Sequence, residues 1–264
     1  MNIGIVGAGN IGKTLARKLQ QHGHQVRVAN SRGPESLRDF AQQTGVTAVT
    51  VGEAVQGAEL LILTIPLGKT PDVQADFRDV PKEVIIVETM NYYPARDGEI
   101  AAIEQGLTNS AWVEQVLGHP VIKAFNNIGA YSFLADGRPA GTPGRIALSV
   151  SGDDEAAKQT VIELVNQTGF EGYDAGPIAD SWRQQPGTPA YCTDLSLDEA
   201  KAARARAVRA EAPANRDQVN QKLADLGEEY MHIIVSGNYP AGFVDRGIDV
   251  SREYYGYPSR QWQE

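Results

Sequence analysis

Three glycines near the start of the chain stand at the spacing that holds a phosphate. Gly7-Ala8-Gly9-Asn10-Ile11-Gly12 directly follows an apolar run at residues 3–6 and opens an amphipathic stretch. In a strand–turn–helix unit Gly7 permits the tight turn, Gly9 lets backbone approach a pyrophosphate, and Gly12 lets the helix press on its strand. The anion then sits at the helix N-terminus, where unpaired N–H groups and the dipole favour negative charge. The same residues also fit the P-loop pattern, with Gly7, four residues, Gly12, Lys13 and Thr14, and the apolar run 84–87 ends in Glu88, an acid that could hold magnesium. Gly9 and the small Ala16 favour the dinucleotide, because a P-loop requires neither.

The end of the second strand selects the dinucleotide. An acid there would grip the ribose hydroxyls of NAD, but Val28-Ala29 is followed by Asn30-Ser31-Arg32. Arg32 offers a forked cation and Ser31 a hydroxyl donor where the 2′-phosphate of NADP would lie, so charge-assisted hydrogen bonds favour NADP(H). The competing explanation for these residues is a surface turn ahead of Gly33-Pro34.

These residues need an α/β frame to position them. Apolar, β-branched runs at 3–6, 25–29, 47–51, 60–65 and 84–87 alternate with helical stretches, beginning with a helix over 11–21 that buries Ile11, Leu15 and Leu19. That alternation predicts a Rossmann-type, doubly wound, mainly parallel sheet with a helical C-terminal extension. Further strands are expected at 121–125 and 146–150 and a helix over 154–167, with 173–175 ending the sheet. The division expected is an NADP-binding domain over 1–120 and a smaller α/β and helical, substrate-facing region over 121–264. Three turn-forming residues within 182–191 mark an irregular segment. Ser196 with Glu199 is a capping-box signal for a helix that Pro213 should stop, and Asn215 with Gln218 repeats it for a helix over 216–235. Lys201, Arg204, Arg206 and Arg209 read as the solvated face of an Ala-rich helix. The tail 237–264, with Tyr239, Phe243, Tyr254, Tyr255, Tyr257 and Trp262, is expected to lie across the body or across a second subunit of a homodimer.

Composition narrows the partners. Lys plus Arg number 24 against 33 Asp plus Glu, and the formal charge of −9 argues against nucleic acid and anionic membranes. The one cysteine, Cys192, cannot form an internal disulfide, and four histidines without ligand spacing give no zinc site. No apolar run nears the roughly 20 residues that span a bilayer, and a strand starting at residue 2 or 3 leaves no room for a leader, so a cytoplasmic protein is expected.

The loop 7–12, Asn30-Ser31-Arg32, Thr64-Ile65-Pro66 and Val121-Ile122-Lys123-Ala124-Phe125-Asn126-Asn127 together resemble the NADP oxidoreductases dependent on the deazaflavin coenzyme F420. They are also similar to the cytosolic NADPH-binding domain of the STEAP metalloreductases. The resemblance covers roughly residues 1–180 and includes Ser151-Gly152-Asp153-Asp154 and Asp174-Ala175-Gly176-Pro177. It implies that Thr64, Ile65 and Pro66 end the fourth strand against the cofactor, that Met90 and Asn91 flank the nicotinamide ribose, and that Asn126 and Asn127 face the ring. It also implies hydride transfer between NADP(H) and a second small-molecule redox partner, a flavin, deazaflavin or similar acceptor.

Transfer between two ring systems asks little of side chains beyond distance, orientation and exclusion of water, which agrees with the lack of a Ser-His-Asp, Cys-His or paired-carboxylate pattern. Three other readings stay open. A dehydrogenase or imine reductase acting on a small carbonyl needs a proton donor, for which Lys123 with Asn127 is the candidate. A non-catalytic NADPH-sensing module would use the tail and basic helix to engage a partner. A P-loop phosphotransferase would bind ATP with magnesium instead.

Overall fold

The computed structural model describes residues 1–260. Its first half alternates β1 (Asn2–Val6), α1 (Asn10–Gln21), β2 (Gln25–Ala29), α2 (Arg38–Thr44), β3 (Thr47–Ala48), α3 (Val51–Val55), β4 (Leu60–Leu63), α4 (Thr70–Phe77) and β5 (Ile85–Glu88). Three helices follow, α5 (Pro94–Asp97), α6 (Ala101–Glu104) and α7 (Asn109–Leu117), before β6 (Ile122–Lys123). All six strands lie parallel in the order β3-β2-β1-β4-β5-β6. This is the Rossmann order, which places ligands beyond the carboxyl ends of β1 and β4, where the winding reverses. The sheet takes in Ile122 and Lys123 and so runs past residue 120.

A sheet covered on both faces needs strands apolar on both faces, and β4, Leu-Leu-Ile-Leu, is buried throughout. Alternate residues then serve two cores. Leu60 and Ile62 join Ile3, Ile5 and Val28 under Leu15 and Leu19 of α1. Leu61 and Leu63 join Val6, Phe77 and Ile86 on the opposite side.

Several elements differ from expectation for identifiable reasons. The third strand stops at Ala48 because Thr50 and Glu53 form a capping box, Thr50 N–H donating to Glu53 Oε2 at 2.8 Å, which starts α3 at Val51. After α8 (Ala130–Ala135), β7 (Ala147–Val150), α9 (Glu155–Gln167) and β8 (Glu171–Asp174), the pair β7–β8 is a separate parallel sheet instead of a continuation of the first. It meets the large sheet through one antiparallel bridge, with Lys123 N–H donating to Ser151 O and Ser151 N–H to Lys123 O at 2.8 and 3.0 Å.

A 3-10 segment, Ile178–Gln184, leads through an irregular loop to α10 (Leu197–Ala205), α11 (Ala212–Ala224), α12 (Glu228–Ser236) and α13 (Arg246–Tyr254). The Ser196–Glu199 cap forms, the Glu199 carboxylate accepting from Ser196 N–H at 2.9 Å. Pro213 opens α11 instead of stopping α10, since its fixed φ and missing N–H suit a first turn. The single helix expected over 216–235 breaks at Gly227, whose φ of +101° takes the backbone out of the helical region. Arg204 is not solvated. It is 6% exposed and donates to Gln184 Oε1 at 2.7 Å and Ala175 O at 2.6 Å, tying α10 to the 3-10 segment.

The tail lies across its own body: Arg252 donates to Thr193 O at 2.7 Å, and Phe243 O accepts from Tyr131 Oη at 2.8 Å. Trp262, counted among the tail aromatics, lies outside the described residues. Among the described residues no helix is long and apolar enough to cross a membrane.

Candidate active site

The loop between β1 and α1 separates glycines that the fold requires from one that it does not. A Cβ at Gly7, where φ is +114°, would lie 2.3 Å from Thr64 O, and one at Gly12 would lie 2.1 Å from Gly7 O. Gly9 has φ −76° and ψ −169°, open to any residue, and a Cβ there would meet nothing within 4 Å. The space over Gly9 is a cradle that a side chain would fill, at the N-terminus of a helix with no capping side chain. A dinucleotide pyrophosphate fits it.

At the end of β2 the Asn30 amide closes the turn. Its Oδ1 accepts from Arg32 N–H at 3.0 Å and its Nδ2 donates to Ser36 Oγ at 2.9 Å. Ser31 and Arg32 are held exposed at the tip, and the Arg32 guanidinium makes no hydrogen bond to the protein among the described residues. Thr64, half-buried, donates from Oγ1 to Gly7 O at 3.4 Å, Ile65 is half-buried beside it, and Pro66 is exposed.

Glu88 and Lys123 leave both the P-loop and the proton-donor roles open to them in sequence. Both side chains are fully buried, with Lys123 Nζ 2.7 Å from Glu88 Oε1 and 2.9 Å from Met90 O. Glu88 also accepts from Ser110 Oγ and from Met90 N–H, at 2.5 and 2.8 Å. Burial pushes the Lys123 pKa down, against the Glu88 carboxylate, which pulls it up. The pair fastens β5 to β6, with both side chains fully buried. Lys13 turns away from the loop, its Nζ 5.7 Å from the centroid of the Phe40 ring.

The other residues singled out in sequence are brought together by hydrogen bonds beyond the strand ends. Met90 is buried in the second core, its sulfur 3.9 Å from Thr70 Oγ1. Asn126 donates to Asn91 Oδ1 at 2.9 Å and to Gln184 O at 2.7 Å, and accepts from Gln184 Nε2 at 3.0 Å, so its amide is used up inside the protein. Asn91 returns a bond to Asn126 O at 2.9 Å. Asn127 donates to Ala190 O at 3.2 Å, and its Oδ1 is buried without a partner among the described residues. Asn10 gives its side chain to the last turn of α12, donating to Ile234 O at 3.2 Å and Val235 O at 3.4 Å.

That contact brings α12 beside the glycine loop, and on the other side of α12 a cavity of about 140 Å³ is lined by residues of α11, α12, α13 and the loop after β5. Its walls include Tyr93, Tyr191, Cys192, Arg216, Tyr230 and Asp245, and Ile234 as well. The Tyr93 and Tyr191 hydroxyls are 2.7 Å apart, and Asn91 Nδ2 lies 3.5 Å from Tyr191 Oη. Tyr230 donates to Asp245 Oδ1 at 2.5 Å. Burial pushes the Tyr93, Tyr191 and Tyr230 hydroxyls above the usual tyrosine range, so each keeps its proton at neutral pH and can donate. Burial likewise pushes the Cys192 thiol up, which leaves it neutral and a poor nucleophile. A second cavity of about 480 Å³ shares Pro186 and Arg216 with the first and extends to Tyr92, Trp182 and Arg209.

Sequence reasoning reached Asn91 and stopped two residues short of Tyr93. It placed Tyr191 at the end of an irregular loop, Tyr230 in an apolar stripe and Asp245 in the tail. Only the signal at Tyr93, an aromatic directly beyond a strand's carboxyl end, was local.

A Rossmann sheet with this loop, and a basic instead of acidic turn after β2, defines an NADP-dependent oxidoreductase. Residues 2–92 match the family model described as NADP oxidoreductase coenzyme F420-dependent. The chain is 42% identical over 94 residues to the Escherichia coli (strain K12) protein YjhV, an overlap of 36% of this chain and 69% of that one. A solved structure of a hypothetical protein from Sinorhizobium meliloti is 32% identical, with a TM-score of 0.65, covering 74% of this chain and 95% of that one. The metalloreductase STEAP3 of Rattus norvegicus is 26% identical over 180 residues, 68% of this chain and 34% of that protein, so the chain spans about a third of its length. The chain belongs to the coenzyme F420-dependent NADP oxidoreductase family.

Proposed function

We propose that this oxidoreductase uses NADPH to reduce a small carbonyl or imine compound held in the tyrosine-lined cavity. The observation that carries the reading is the Tyr93–Tyr191 hydroxyl pair, 2.7 Å apart, on the wall of a 140 Å³ cavity beyond the carboxyl end of β5. Backbone at Gly7, Gly9, Ile11 and Gly12 would hold the pyrophosphate, and Ser31 and Arg32 the 2′-phosphate. The nicotinamide supplies a hydride when bound. Asn91 orients Tyr191, Tyr191 donates to Tyr93, and the remaining Tyr93 proton goes to the acceptor's oxygen or nitrogen. The segments α11 to α13 exclude water from the strand ends.

A flavin or deazaflavin acceptor is the second reading, favoured by the family's description. Drug-sized ligands occupy sites of roughly 300–1,000 Å³, so a three-ring acceptor would need more room than the 140 Å³ cavity gives. The test is nicotinamide absorbance with NADPH and a panel of small oxo compounds, imines, flavins, deazaflavin and ferric chelates. Faster turnover of small oxo compounds or imines supports the first reading, and exclusive turnover of ring acceptors replaces it with the second. NADPH binding without turnover of any acceptor would leave a sensing module.

A further inference from the structure

The inner cavity has a cation on its wall whose hydrogen bonds are not all used. Arg216, on α11, has a side chain only 14% exposed, and its one bond among the described residues is from Nε to Asp217 Oδ1 at 2.8 Å. Neither terminal nitrogen has a protein partner among the described residues. Arg216 lines both the 140 Å³ cavity that holds the tyrosine hydroxyls and the 480 Å³ cavity outside it. A guanidinium this buried is normally bonded through most of its fork, as Arg204 and Arg252 are here.

The neighbouring charges leave room for an anion at Arg216. Asp245 is held by Tyr230 Oη and by Gly247 N–H at 3.1 Å, and burial pushes its pKa up. Glu104, in the outer cavity, is engaged by Tyr92 Oη at 2.8 Å. Arg209 adds a second cation to the outer cavity, its guanidinium 5.7 Å from the Trp182 ring centroid.

We propose that the compound reduced at Tyr93 carries a carboxylate, and that the open fork of Arg216 binds it, making this enzyme selective for oxo or imino acids over neutral carbonyls. The inference rests on the reading of the inner cavity as the acceptor site. The acceptor's reacting group faces the Tyr93 hydroxyl, its carboxylate meets the terminal nitrogens of Arg216, and any longer tail runs past Pro186 toward Trp182. Two parallel N–H to O bonds to a planar carboxylate fix the orientation of a small molecule that offers little else to grip.

Calorimetry tests this without turnover. The protein saturated with NADP⁺ is titrated with 2-oxo and 3-oxo acids of four to six carbons and with their methyl esters. The acids should bind at least about 10-fold more tightly than the esters, and R216Q should erase that difference while R216K restores part of it. Thermal melts of both variants confirm that they fold. Esters that bind as well as acids, or acids that bind R216Q as well as the unaltered protein, overturn the proposal. NADPH titration of the same samples separates the two claims: cofactor bound with no preference for acids removes the Arg216 assignment alone, whereas no cofactor binding removes the reading beneath it.

Discussion

Gly9 is the residue whose chemistry is most exposed to test, because the protein without ligand gives no reason for it. Its backbone suits any amino acid and its Cβ position is empty, so Gly9→Val should fold with stability changed by no more than about 0.5 kcal/mol while NADPH binding is lost. Calorimetry and a thermal melt on the same sample check both halves, and retained affinity would remove the cradle. Arg32, exposed and without a side-chain partner among the described residues, should act only on the 2′-phosphate. Arg32→Ala should weaken NADPH by about 1.5–3 kcal/mol and leave NADH unchanged. At Tyr93 the expected loss is in rate. Tyr93→Phe should lower kcat by about 100-fold or more at unchanged NADPH affinity. Because burial holds this hydroxyl above the ordinary tyrosine value of about 10, the rate of the unaltered enzyme should show no loss of the donor up to pH 9. A rate that falls with a midpoint below pH 9 would assign the donor to another group.

At the scale of elements, the parts that periodicity governs were legible and the parts that tertiary contact governs were not. The apolar runs at β1, β2, β4 and β5 and the glycine turn give the Rossmann order directly, since a strand buried on both faces carries its signature in four or five residues. Lys123 and Asn126 were legible as polar residues at a strand end, but nothing local says that Glu88 and Gln184 consume them. The break at Gly227 was missed because Val219, Leu223, Leu226, Tyr230 and Ile233 keep helical spacing across it. The break lets α12 turn its C-terminus onto Asn10. Gly237, with φ +71°, caps α12 at a point where a Cβ would lie 2.3 Å from Asn10 Oδ1. Gly237→Val should therefore release the α12 segment. Amide exchange over residues 228–243 should quicken by about 10-fold or more, as loss of roughly 1.4 kcal/mol or more of local stability requires, while the strands of the large sheet stay protected. Unchanged exchange would mean that other contacts hold α12 in place.

The whole molecule is closed by its tail, and the closure has a pH dependence. Asp194, at the end of the irregular loop, has a fully buried side chain and a φ of +47°. Its Oδ2 accepts from Ser132 Oγ of α8 and from Arg260 Nη1, both at 2.6 Å, while Oδ1 has no partner among the described residues. Arg260 also reaches Asp136 at 2.9 Å, so the loop, α8 and the C-terminal tail meet at one buried acid. Burial outweighs the pull of Arg260 and raises the Asp194 pKa to about 6. The folded chain thus holds this proton more tightly than the unfolded chain, where the value is about 3.9. The stabilising contribution is complete below pH 4, declines as pH rises through 4 to 6, and is gone above the folded value. At about 1.4 kcal/mol per unit over roughly two units, the decline amounts to about 3 kcal/mol. Asp194→Asn keeps the side chain's shape, tolerates the left-handed backbone and cannot titrate. Losing the Arg260 charge pair shifts its stability by an amount that changes little with pH, since the guanidinium stays protonated throughout. Urea unfolding of both proteins from pH 4 to pH 8 should therefore show the unaltered chain losing about 3 kcal/mol relative to the variant between pH 4 and 6, and nothing further above 7. A difference that is flat across that interval would mean that the tail is fastened by an acid already ionised at pH 4.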